Sequence, residues 1–201
     1  MTFTSTRYKT YEEYLSSDLG PEGNFRLLSN GEVIELPPED KEDDFIATEL
    51  TERLKRILKN RRLVSMSTEL QVHPVGDDRL NRRPDLTVLR LEHIELMKEL
   101  KKNAILFGMP APLLIAELVS PGSDRTDNYR RDYEWKRQQY KWWKIPEYWI
   151  IDCHKEQVVV FILNDDDIYE EKQYRGAAIV GSLIFPTLQL PANKLLSGDI
   201  I

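Results

Sequence analysis

Between Leu113 and Asp124 the chain reads LLIAELVSPGSD, and within its first seven residues Glu117 is the sole side chain that is not apolar. Leu113, Leu114, Ile115, Ala116, Leu118 and Val119 leave an extended strand with no polar face, which fits a central strand covered on both sides. Glu117 is then an interior carboxylate. It must be neutral, paired or bound to a cation, because an isolated buried charge costs more than a fold can spare. Backbone N–H groups or a nearby arginine would satisfy it without any function. The rest of the sequence decides whether that is enough.

The flanking segments supply layers for such a strand. Tyr8 to Leu19 reads as a short amphipathic helix stopped by Gly20-Pro21. Phe25 to Leu28 and Val33 to Leu36 flank Asn30-Gly31, a hairpin signal. A helix is expected from about Asp43 to Asn60, with acids at its start, Lys and Arg at its end, and Phe45, Ile46, Leu50, Leu54, Ile57 and Leu58 at helical spacing. Leu63 to His73 and Leu86 to Leu91 read as strands joined by a polar loop, and Glu92 to Lys102 as a charged helix. Pro84 sets an extended entry to the second strand, so Asp85 is held in a defined direction.

Downstream, the longest helix runs from about Asp127 to Lys144, with Ser123 or Asp124 as candidate caps. Tyr129, Tyr133, Lys136, Tyr140 and Trp143 share one face, with Asp132 four residues before Lys136. A lysine in an aromatic stripe is either snorkelling to water or held by a buried acid. Glu147 to Asp152 reads as a strand, Gln157 to Leu163 and Ile168 to Tyr174 as a second hairpin, Ile179 to Phe185 as a further strand, and Pro191 to Ile201 as a peripheral cover. With no repeat or linker, residues 1–201 form one α/β domain built on a mixed sheet.

Composition excludes several classes. The chain has 201 residues, enough to bury roughly 70% of its unfolded surface without a staple. A single cysteine, Cys153, leaves no internal disulfide or cysteine-rich zinc site, and points to the cytoplasm. No apolar run of membrane-spanning length exists, nor a signal-peptide core. A net charge of −6 argues against indiscriminate nucleic-acid binding but not against a local basic cleft. Arg79, Arg82, Arg83, Arg125, Arg130, Arg131, Lys136 and Arg137 crowd the segments around the unusual acids. His73, His93 and His154 show no zinc or triad spacing, and Ser120 lacks a glycine-flanked elbow.

Asp85, Glu117 and Lys136 thus define the candidate site. Two carboxylates on adjacent strands can hold one hard cation such as Mg²⁺, with waters completing the octahedron. Such a cation lowers the pKa of bound water and neutralises charge on a phosphate, and a nearby ammonium adds to that stabilisation. In outline this is a site for cleaving phosphodiesters.

Four blocks carry a resemblance: RPDLTVL (Arg83 to Leu89), LLIAELVSPGSD, DYEWKRQQY (Asp132 to Tyr140) and IPEYWIID (Ile145 to Asp152). In order and spacing they resemble the Uma2 family (DUF820) of restriction-endonuclease-like proteins, within the PD-(D/E)XK nuclease superfamily. The resemblance implies a restriction-endonuclease-like mixed β-sheet core flanked by helices, with N- and C-terminal β-hairpins. It implies a DNA endonuclease using Mg²⁺, with Mn²⁺ as a substitute, and Asp85 and Glu117 as metal ligands. Where the superfamily places its lysine two residues after the acid, this chain has Val119, so Lys136 is the substitute. Asp132 and Tyr140 are assigned as supports, and Glu35 or Glu32 as a further carboxylate. A homodimer would suit cutting of two strands, with Trp142 as its hint. The alternative is a catalytically silent nucleic-acid-binding or assembly module, in which Lys136 only pairs with an acid.

Overall fold

The structure, a computed structural model, describes residues 3–19, 24–36, 41–119 and 127–200. The expected stop at Gly20-Pro21, the caps Ser123 and Asp124, and Arg125 lie outside these residues. In chain order, strand β1 (Phe3–Arg7) leads into helix α1 (Tyr11–Leu15), capped by Thr10, whose side chain accepts the Glu13 N–H. Strands β2 (Phe25–Leu27) and β3 (Glu32–Glu35) form the expected hairpin, and β1 pairs with β3 on the other side. The N-terminal unit is therefore a three-stranded sheet, one strand more than the hairpin signal indicates.

Helix α2 (Lys41–Ile57) begins with Glu42, Asp43 and Asp44 and ends with Lys55 and Arg56, matching its dipole. The expected strand from Leu63 to His73 is in fact two, β4 (Val64–Ser65) and β5 (Glu69–Gln71), in different sheets. Between them, side chains take over from the ladder: the Ser67 N–H donates to Ser65 Oγ, the Thr68 hydroxyl donates to Asn103 Oδ1, and the Ser65 and Thr68 hydroxyls bond to each other. The polar loop ends in β6 (Asn81–Arg82), which pairs with β5. Arg83-Pro84-Asp85 then carries the chain to β7 (Leu86–Val88) in the main sheet. Helix α3 (Leu91–Leu100) and β8 (Ala104–Ile105) follow, β8 completing the sheet ordered β6-β5-β8.

Strand β9 (Leu114–Leu118) is buried along its whole length. It lies between β7, antiparallel, and β10 (Glu147–Asp152), parallel. With β11 (Gln157–Leu163) and β12 (Tyr169–Tyr174) the main sheet has the order β12-β11-β10-β9-β7-β4. The C-terminal hairpin is thus one edge of this sheet.

Alternation along β9 separates two cores. Leu114, Ala116 and Leu118 face α2, while Ile115 and Val119 face the long helix with Tyr140, Trp143, Tyr148 and Ile150. Glu117 shares the parity of Ile115 and Val119, so it points toward the long helix. On β7, Leu86 and Val88 belong to the α2 core, which leaves Asp85 on the same side as Glu117.

The segment from Ile179 to Phe185 is no strand. Only an isolated bridge joins Ile179 to Pro191, and the Leu183 and Ile184 N–H groups instead donate to Glu147 Oε2 at 2.7 and 2.9 Å. The C-terminal residues are also more than a cover, because Leu195, in the helix Ala192–Leu196, and Ile200 complete the α2 core.

Candidate active site

The long helix, α4, consists of Asp127–Arg130, a π-helical turn at Arg131–Trp135, and Lys136–Trp142. In the π turn the Lys136 N–H reaches back to the Arg131 carbonyl, widening the helix by one residue. The Asp132 carbonyl accepts the Tyr148 hydroxyl at 2.9 Å, which ties the turn to β10. Insertions of this kind gather at functional sites. Nothing in the residue spacing announces it.

The inward face of α4 meets Glu117. Lys136 Nζ lies 2.8 Å from Glu117 Oε2 and 2.8 Å from Asp132 Oδ1, and the Tyr140 hydroxyl donates to Glu117 Oε1. Arg131 Nε reaches Asp132 Oδ1 at 3.2 Å, so Asp132 serves two cations. Glu117, Asp132, Lys136 and Tyr140 are all buried.

Asp85 joins this group from β7. Its Oδ2 accepts the Leu118 N–H at 2.6 Å, and its charge is felt at the Lys136 ammonium. The β7–β9 register pairs Leu86 with Ala116, and one step further it sets Asp85 opposite Glu117. Asp85 is partly open to solvent and lines a pocket with Asn24, Lys41, Asp44 and Arg83.

The structure therefore brings Asp85, Glu117, Lys136, Asp132 and Tyr140 together. Glu35 stands apart, exposed at the end of β3. Among the described residues no hydrogen bond or ion pair links it to Asp85, Glu117 or Lys136. Glu32 instead pairs with Arg7 at 2.6 Å.

Charges in the cluster reinforce one another. Burial opposes the Lys136 ammonium, but Asp132 and then Glu117 outweigh it and hold its pKa above the usual lysine range. Burial likewise opposes the Asp132 carboxylate, and Lys136 and Arg131 overcome it to keep its pKa low. Burial, then Glu117, pushes the Tyr140 phenol far up, so Tyr140 is a fixed donor. Lys136 is accordingly a cation that can stabilise negative charge, not a base that removes a proton.

Two polar centres go beyond the sequence reading, which counts Arg82 only among the crowding basic residues and leaves Glu69 out. Arg82 is buried and clamped, with Nη1 and Nη2 on Asp77 at 3.0 and 2.8 Å and Nε on Gln139 Oε1 at 2.8 Å. Glu69, on β5, accepts from Tyr11 at 2.6 Å, Asn81 at 3.0 Å and Tyr14 at 3.3 Å, and burial raises its pKa. The signal that singles out Glu117, an acid beside apolar strand residues, was also present at Glu69 in TELQV.

Among the described residues no group of three or more His, Cys, Asp or Glu side chains is placed to hold a metal ion. Asp85 and Glu117 remain as two oxygen donors on one side of the sheet. Mg²⁺ commonly takes one or two carboxylates and keeps several waters, so this donor set fits it. Each Glu117 oxygen also retains a lone pair beyond those facing Lys136 and Tyr140. No helix among the described residues is long and apolar enough to cross a membrane.

The mixed sheet flanked by helices is the fold of a restriction-endonuclease-like α/β domain. The family model described as "Uma2: Putative restriction endonuclease" matches residues 11–193, and the chain belongs to this family. The fold is shared with a crystal structure from Anabaena variabilis ATCC 29413, titled as that of "a putative nuclease belonging to DUF820". The TM-score is 0.64 at 20% identity, over 93% of this chain and 97% of that one. Comparison with curated proteins gave no match.

Proposed function

We propose that this protein is a metal-dependent endonuclease that hydrolyses DNA phosphodiester bonds. The observation that carries this reading is the convergence of Asp85, Glu117 and the Lys136 ammonium on one side of the central strand pair. Family membership supports nuclease chemistry, and the solved relative supports the fold.

In this reading Asp85 and Glu117 would hold Mg²⁺ or Mn²⁺. When bound, the ion supplies a lowered pKa for water and charge neutralisation at the phosphate. Lys136 offers its ammonium to the negative charge that builds on phosphorus oxygens as water adds and the leaving oxygen departs. Asp132 and Arg131 hold Lys136 in place, and Tyr140 fixes the Glu117 carboxylate. The exposed Trp142, packed on His73 and Phe107, is the surface on which a homodimer would form.

The test is incubation of purified protein with Mg²⁺ or Mn²⁺ and single-stranded, double-stranded and branched DNA. Cleavage is expected for at least one substrate, and loss of it in Asp85→Ala. Intact DNA in every case, or an Asp85→Ala variant as active as wild type, overturns the proposal.

One observation favours a second reading. The direct 2.8 Å contact between Lys136 and Glu117 is what a catalytically silent module would show. Titration calorimetry with Mn²⁺ separates the two, since the silent module binds no divalent metal and the nuclease does.

A further inference from the structure

Beside the acid-lysine cluster, Arg26, Arg79 and Arg82 gather around one carboxylate, Asp77. The Leu28–Arg79 bridge and the Leu80 N–H to Leu27 O bond of 2.9 Å bring β2 against the segment leading to β6. The Leu27 N–H also donates to Asn81 Oδ1 at 2.8 Å. Arg26 and Arg79 thereby come within electrostatic reach of the same carboxylate, Asp77, that already holds Arg82.

Arg82 engages both Asp77 oxygens in a paired contact. What remains for Arg79 is a 3.5 Å approach of Nε to Asp77 Oδ2, an ion-pair contact without a hydrogen bond. Arg79 is only 8% exposed, and among the described residues its guanidinium makes no hydrogen bond. Arg26 is half-buried, and among the described residues its Nε is likewise without a hydrogen-bond partner. Buried guanidinium donors are normally matched, and an unmatched pair calls for an explanation.

Burial, with Arg82 and Arg26 adding to it, pushes the Arg79 pKa down to about 9 against the pull of Asp77. Arg131 lies within electrostatic reach of Asp77 and Glu117 alike, which makes the arginines and the candidate active site one continuous field.

We infer that Arg26 and Arg79, flanked by Arg131, form a pocket for a backbone phosphate of the nucleic-acid strand, next to the phosphate that faces Asp85, Glu117 and Lys136. The inference rests on the nucleic-acid reading proposed above and adds a binding residue set to it. Two guanidinium forks present paired N–H donors to tetrahedral oxygens, the geometry arginine supplies better than lysine. A phosphate there provides acceptors for the Nε donors that are unmatched among the described residues.

The test is fluorescence anisotropy of a short labelled DNA duplex in metal-free buffer across a salt series, comparing wild type with Arg26→Gln and Arg79→Gln. Each variant is expected to bind roughly tenfold more weakly. The slope of log K against log salt should also fall by about one in each. Arg26→Gln keeps the test decisive if the buried Arg79→Gln fails to fold, which circular dichroism shows directly. A folded Arg26→Gln variant with wild-type affinity and slope overturns the pocket. Cleavage on the same preparations keeps the two readings apart. Wild type that cuts, with an Arg26→Gln variant of unchanged KM and slope, removes the pocket and leaves the nuclease. Wild type that neither binds nor cuts removes both.

Discussion

Lys136 Nζ stands 2.8 Å from Glu117 Oε2 while touching Asp132 at the same distance, so one ammonium joins the central strand to its own helix. Removing it would leave two buried carboxylates with Arg131 and Tyr140 as their remaining partners among the described groups. Breaking one side of a buried ion pair costs about 3–5 kcal/mol. Lys136→Met is therefore expected to lower Tm by roughly 6–20 °C for a chain of this size. Cleavage should be lost as well. Adding Asp132→Asn should recover part of the stability but none of the activity. Calorimetric melts of the three proteins check this, and an unchanged Tm for Lys136→Met would mean that the pair is not formed in solution.

The Tyr140 hydroxyl donates to the other Glu117 oxygen, and burial and then Glu117 raise its pKa so that the phenol keeps its proton. Tyr140→Phe keeps the ring packing against Tyr148 and deletes only the donor. Supports of this kind typically cost 10–100-fold in metal affinity or activity when removed. The expected outcome is a fall of about tenfold or more in kcat/KM with a melt lowered by a few degrees. A variant with wild-type kinetics would show that Glu117 needs no orientation from the helix.

Much of this site could be read from residue types alone because burial makes a charge conspicuous. Glu117 stands out in LLIAELV and Lys136 in its aromatic stripe, and Pro84 announces that Asp85 is fixed. What stayed hidden depends on backbone detail or distant pairing. The π turn at Arg131–Trp135 has no residue signature, yet Tyr148 holds its carbonyl. The split of Leu63–His73 into β4 and β5 is set by hydroxyl and amide bonds from Ser65, Thr68 and Asn103, the last far along the chain. Arg26 and Arg79 are far apart in sequence and meet only because β2 packs against β6.

Acid should weaken the fold through His93 before it reaches the carboxylates. His93 is fully buried; its Nδ1 accepts the Arg90 N–H at 3.0 Å and its Nε2 donates to the Pro110 carbonyl at 2.8 Å, so the ring is neutral. Burial is the main cause that holds its pKa below the usual histidine value. A neutral form favoured by folding contributes stability that is complete above the unfolded pKa of about 6.5 and is lost as pH falls through the folded value. Glu69 works in the opposite direction, because its folded pKa is raised. Comparison with His93→Gln isolates the histidine. The variant should melt below wild type at pH 7.5, and the gap should narrow by pH 5. A gap that stays constant across that range would rule His93 out as the acid-sensitive group.

Metal binding provides the remaining check, independent of turnover. If Asp85 and Glu117 hold a divalent ion in the folded state only, that ion must stabilise the fold by mass action. At a free concentration one hundred times Kd the gain is about 2.7 kcal/mol, which corresponds to a Tm rise of roughly 5–11 °C here. Mn²⁺ is expected to produce such a rise in wild type. In Asp85→Asn, which leaves the Lys136, Glu117 and Asp132 contacts in place, it should be largely abolished. Because Lys136 already occupies one side of Glu117, the ion has to compete with or share that oxygen, and Lys136→Met should bind Mn²⁺ at least as tightly as wild type despite its lower Tm. Equal Mn²⁺ shifts in wild type and Asp85→Asn would place the metal elsewhere. No shift in either protein at saturating Mn²⁺ would leave the ion pair as the whole purpose of the cluster.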